Sequence, residues 1–181
     1  DVGLARMVVY ADPKAGERFT LEMSPAGRLF RYGLLELGEG RRLLLQELHP
    51  TRRLIELIHG ARELEPAIAE LAHLIAQPHM HHLVLSPEVE AQLHAVAAQA
   101  QRHPPGQSSV IVVHGAPGSG RRSLLETVAA KLELACLIVD CAQLPKDPTA
   151  AANVCRALVR ELLLADAMLV LHDADGVAGE L

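Results

Sequence analysis

Apolar positions follow one rhythm before about residue 108 and another after it. In the first part they recur three and four apart, the spacing of an amphipathic helix. "VGLARMVVYA" has that spacing, and Pro13 and Gly16 in "DPKAGE" break it. Ser24 and Pro25 make an N-cap and first-turn pair for a short helix through about Tyr32, which Gly33 ends. "LLEL" and "RLLLQEL", parted by Gly38-Glu39-Gly40, predict two short strands in a hairpin. "HPTRRLIELIHG" and "LEPAIAELAHLI" predict amphipathic helices, and "QPHMHHLVL" reads as a connector. "LSPEVEAQLHAVAAQAQRH" predicts a helix capped by Ser86 and opened by Pro87, with Glu88 and Glu90 at its positive end. "PPGQSS" is the linker that follows.

Beyond the linker, strand and helix alternate. "SVIVVH", "ACLIVD" and "AMLVLHD" predict strands; "RRSLLETVAAKLE" and "AAANVCRALVRELLLAD" predict helices between them. The strand runs are continuously apolar, so they are expected to be buried on both faces, in a parallel sheet with helices on both sides. Short helices, a small hairpin and more helix look like a winged-helix domain. The expected organisation is therefore a mainly helical, winged-helix-like domain over residues 1–83, a helix and linker over 84–107, and an α/β core over 108–181.

Composition narrows the chemistry. Half of the 181 residues are apolar, yet there are two Phe, two Tyr and no Trp, so the cores rest on Leu, Val, Ile and Ala. The scarcity of aromatics removes the stacking platforms of single-strand nucleic-acid binders. A net charge of −5 argues against a generic nucleic-acid or anionic-membrane surface. Arg41-Arg42 and Arg52-Arg53 could face DNA, but residues 1–60 carry acids and bases in near balance, which suits a solvated or protein-binding face better. Cys136, Cys141 and Cys155 are odd in number and form no CxxC, so they read as buried, reduced thiols of a cytoplasmic protein. No signal peptide or membrane-length apolar run is visible. "HMHH", with His79, His81, His82 and nearby His73, invites a metal, but no Cys or acidic ligand stands at standard spacing.

The strongest chemical signal is "VIVVHGAPGSGRRSLLETVA". Gly115, Ala116, Pro117, Gly118, Ser119 and Gly120 complete the glycine half of a Walker A phosphate loop, between a predicted strand and a predicted helix. Glycines let the backbone turn and approach phosphate oxygens, while the loop amides and the helix start supply positive potential. The next two positions ordinarily hold Lys and then Ser or Thr; here they are Arg121 and Arg122. Arg121 keeps the charge in a bulkier, planar form. Arg122 has no hydroxyl for Mg²⁺, and Ser123 stands one residue late, about 100° further round the helix. In "MLVLHDAD", Asp173 is the Walker B candidate for Mg²⁺. Ala174 follows where a hydrolysing enzyme has a glutamate to activate water, and Asp175 is a weak substitute for that base. Efficient ATP hydrolysis is not expected from this set.

"HGAPGSGRRSL" together with "AMLVLHDADGV" resembles the AAA+ ATPases, of the P-loop NTPase class. The stretch "LFRYGLLELGEGRRLLLQELHPTRRLIELIHGARELEPAIAELA" resembles the winged-helix-type domain ahead of the AAA+ module in a group of large bacterial ATPases. Those proteins carry two AAA+ modules in tandem, the first often with an Arg-Arg loop, and some are linked to phage-tail-like contractile injection systems. The resemblance runs from about residue 20 to the end. It implies that Gly115, Gly118, Ser119, Gly120 and Arg121 line the phosphates of ATP or ADP and that Asp173 takes the Walker B place. It also implies a homo-oligomeric ring with protein partners, and remodelling work driven by a second module. Arg122 and Ala174 depart from the hydrolytic pattern. The chain begins at Asp1 and ends before the sensor strand, arginine finger and lid of the family, so it is expected to be the front part of a longer protein. In AAA+ sheets the sensor strand lies between the first and third strands, and a gap is expected there. Two other readings compete: a scaffold or adaptor with a relic loop, and a small P-loop kinase, which leaves the N-terminal part unexplained.

Overall fold

A computed structural model describes residues 1–9, 16–24, 26–40, 42–61, 63–100 and 110–176. Pro13, Pro25 and the linker residues 104–109, on which three of the sequence expectations rest, lie outside them. The chain divides into two compact units, Asp1–Ile68 with Pro145–Arg160 and Ala69–Leu144 with Glu161–Leu181.

The first unit holds helices α1 (Val2–Val9), α2 (Gly16–Glu22), α3 (Arg28–Arg31), α4 (Arg52–Ile58) and α5 (Pro66–Ala69), with the hairpin β1 (Leu35–Leu37) and β2 (Leu48–Pro50). β1 and β2 are antiparallel, with Glu36 opposite His49. The second strand falls later than the sequence pattern places it, because Leu43–Leu45 coil into a single 3₁₀ turn instead. Val2, Phe19 and Met23 form the local core, with Phe30, Leu37 and Leu48 against it. Thr51 ties the hairpin down: its hydroxyl donates to the Gly33 carbonyl at 2.9 Å.

The second unit is built on a three-stranded sheet in the order β3 (Ala72–Ile75), β4 (Ala135–Asp140), β5 (Ala167–His172). β4 and β5 are parallel, in register from Ala135 opposite Ala167 to Asp140 opposite His172. β3 runs antiparallel to β4, so the sheet is mixed where an all-parallel one was expected. The helical spacing of "LEPAIAELAHLI" misleads here. Only Pro66–Ala69 is helical, and Ala72–Ile75 is captured by the backbone groups of a strand buried along its length. Non-local pairing has overridden a local periodicity.

α7 (Arg121–Lys131) packs on the sheet. Ala129, Cys136, Ile138 and Val170 form the core, with Leu125, Ile75 and Met168 beside it. α7 ends in a Schellman motif: the Leu134 amide donates to Ala129 and the Glu133 amide to Ala130, with Glu133 left-handed at φ 58°. α6 (Pro87–Ala100) forms where its cap predicts it, and α8 (Pro148–Ala165) starts two residues before the expected "AAANVCRALVRELLLAD". Ser86 accepts from the Val89 amide at 3.4 Å, and Asp147 accepts from the Ala150 amide at 2.8 Å. The five described residues of "SVIVVH", Val110–His114, lie in no strand. Val110 and Val112 are exposed, and among the described residues no neighbouring strand pairs with them. An extended segment without a ladder partner gains no sheet hydrogen bonds, whatever its β propensity. No helix among the described residues is long and apolar enough to cross a membrane.

Candidate phosphate-loop site

Gly115–Gly120 runs as an exposed turn into the first residue of α7. Its geometry depends on its glycines. Gly118 and Gly120 both stand at φ 81°, a left-handed conformation that side chains resist. A Cβ on Gly115 would lie 2.6 Å from the Ser119 hydroxyl, which would have to turn away from the start of the loop. The Ser119 amide donates to the Ala116 carbonyl at 3.1 Å, closing the turn at Pro117–Gly118. The Gly120 carbonyl then accepts from Leu124 at 2.9 Å and opens the helix. Among the described residues no protein acceptor is assigned to the amides of Gly118 and Gly120. Exposed amides and the positive end of an eleven-residue helix thus meet at one place.

The two arginines part company. The Arg121 stem lies along the loop, its Cδ 3.7 Å from where a Gly115 Cβ would be. Among the described residues it makes no ion pair. Arg122 turns down the helix instead, its Nε 2.9 Å from Glu126 Oε1. The other oxygen of Glu126 is 2.9 Å from His81 Nε2. Burial alone would raise the Glu126 pKa, but the bonds and charges of His81 and Arg122 outweigh it and hold the carboxyl below its usual range. The same connector is fastened again at Thr127, which accepts from the His81 amide at 3.2 Å and donates to Ser123 at 2.8 Å. Leu83 reaches the loop, 3.9 Å from where a Cβ of Gly120 would stand.

The i,i+4 pairing of Arg122 with Glu126 could have been read from spacing. The His81 contact, 45 residues away in sequence, could not. His81 thus serves a carboxylate. Among the described residues, none of His73, His79, His81 and His82 joins a metal-ligand group.

Asp173 directly follows β5, whose last residue, His172, pairs with Asp140 at the end of β4. Oxygens of Asp140 and Asp173 and a ring nitrogen of His172 lie within 4.8 Å of one another. His172 Nδ1 is 3.1 Å from Asp173 Oδ2, while Asp140 already accepts from the Ala142 amide and the Gln143 side chain. Asp175 stands in the following 3₁₀ turn and does not join this group. Asp140 and Asp173 offer carboxylates of the kind Mg²⁺ takes, but the third donor of the group is imidazole, and the hydroxyl position of the loop is occupied by a guanidinium engaged elsewhere.

The thiols are free, but not all are buried, as the sequence suggested: Cys155 is exposed. Burial, and then the Glu126 charge, push Cys136 up to about 11. Burial followed by the charges of Asp140 and Asp173 raises Cys141.

Compared with family models, curated proteins and solved structures, the chain matches none.

Proposed function

We propose that the Gly115–Arg121 loop binds the phosphates of ATP or ADP, as a nucleotide-binding module of AAA+ type that hydrolyses poorly. The observation that carries this reading is one juxtaposition: two left-handed glycines, free loop amides and the Arg121 stem meet at the start of α7. Such a start offers a phosphate oxyanion hydrogen bonds and positive potential together. Gly118 and Gly120 give the backbone its close approach, Ser119 shapes the turn, and Arg121 neutralises charge. Ala174 offers no base to a water, and Asp175 stands apart from the group at the strand ends. Binding is therefore the activity of this segment. Assembly into a ring and remodelling of a protein substrate, driven by a second module, rest on the AAA+ resemblance of the sequence.

A second reading, a scaffold with a relic loop, draws on the engagement of Arg122 with Glu126, which leaves a weaker phosphate grip. Calorimetric titration of ATP and ADP, with and without Mg²⁺, separates the two, beside a Gly120→Asp variant of matched circular dichroism. Micromolar binding that ignores Mg²⁺ and is lost in the variant is the expected result. No heat from the folded wild-type chain would leave the scaffold.

A further inference from the structure

Glu126 stands on the loop's own helix, one turn beyond Arg122, and its side chain is 13% exposed. Each of its oxygens is claimed by a different group, Arg122 from the same helix and His81 from the connector. The His81 end is not free to wander, because its amide is bonded to Thr127 on the next position of α7. Nothing in a phosphate loop needs this clamp in order to fold: α7 is already started by Gly120 and anchored by Val128 and Ala129 in the core. Its effect is on Arg122, whose guanidinium is held beside a carboxylate one turn away from the loop amides.

We infer that Glu126 is a positioning residue that withdraws Arg122 from the phosphates and leaves Arg121 to meet them, which sets how tightly the loop holds nucleotide. This rests on the nucleotide reading above. A bound phosphate and Glu126 are rivals for the same guanidinium, and an ionised carboxylate with a fixed second partner is a strong rival. His81 is the fixed partner: by occupying Oε2 it orients Oε1 toward Arg122.

The test is Mg²⁺-free titration of ADP and ATP into the full chain and four variants: Arg121→Ala, Arg122→Ala, Glu126→Gln, and Arg122→Ala with Glu126→Gln. Arg121→Ala should weaken binding at least about tenfold, as loss of a charge-assisted phosphate contact does. Arg122→Ala should change it less than about twofold, since in the wild type that side chain is spent on a half-exposed ion pair. Glu126→Gln, which keeps a hydrogen-bonding side chain beside His81, should tighten binding roughly three- to tenfold by releasing Arg122. The double variant should return to the Arg122→Ala value. A merely structural Glu126 would lower affinity alike in both backgrounds, and that outcome overturns the inference. So does an Arg122→Ala loss as large as that of Arg121→Ala, a result that stands even should Glu126→Gln not fold. A folded wild type that binds no nucleotide sinks the phosphate-loop reading itself, so the two failures are told apart.

Discussion

Leu137 is the residue whose truncation best tests the sheet. It sits mid-way along β4, fully buried, opposite Leu74 of β3 and Leu169 of β5. Replacing it by alanine removes three buried carbons and leaves a void on one face of the sheet, over a backbone that ladder hydrogen bonds on both sides keep from closing on it. Leucine-to-alanine changes in cores cost about 2–5 kcal/mol, rising with the cavity that remains. The rigid setting of Leu137 places it at about 3–5 kcal/mol in that range. Leu169 is the same residue type in the neighbouring strand, but 42% exposed. Its truncation removes less buried surface and opens a site to water, so about 1–1.5 kcal/mol is expected. A domain's stability is only about 5–15 kcal/mol, so the first variant is severely weakened and the second is not. Urea unfolding followed by far-ultraviolet circular dichroism measures both. Equal costs for the two, or a cost below about 1.5 kcal/mol for Leu137→Ala, would refute β4 as the central strand.

Glu133→Gly should stabilise the chain by roughly 0.5–1 kcal/mol, because glycine relieves the left-handed strain at φ 58° by more than it adds to unfolded-state entropy; thermal melting checks the sign. Iodoacetamide at pH 8, read by mass spectrometry, should label the exposed Cys155 quickly and leave Cys136, its thiol pushed up to about 11, untouched until urea is added. Labelling of Cys136 at the Cys155 rate would contradict its burial. The Glu126 pKa is depressed in the folded state, so its contribution to stability is present above the ordinary value of 4.5 and is lost as pH falls through the folded value. Glu126→Gln should therefore flatten the loss of stability on the acid side of pH 4.5 relative to wild type, and an unchanged acid limb in urea titrations would show the carboxylate unpaired.

What could be read from the residues alone is what depends on neighbours in sequence. Ser86-Pro87 starts a helix by bonding an amide three residues away, and Gly118 and Gly120 of the loop take the left-handed conformation that their missing Cβ permits. The apolar runs of β4 and β5 announce strands, and the two are parallel; β4 is buried along its length as expected, whereas β5 is mostly half-buried or exposed, with Leu169 and Leu171 open to solvent. The Arg122 departure from a working metal loop was equally visible. Other features were decided by partners far along the chain. The Ala72–Ile75 segment has helix-like spacing but becomes a strand because β4 offers it a row of backbone donors and acceptors. Val110–His114 has strand composition but no ladder, since a strand exists only as half of a pair. Glu126 looks like an ordinary helical acid until folding brings His81 to its second oxygen. Local chemistry acts through a few bonds and is written in order along the chain. Strand pairing and ion-pair convergence depend on which surfaces meet, and that is set by burying the sheet, not by any one segment.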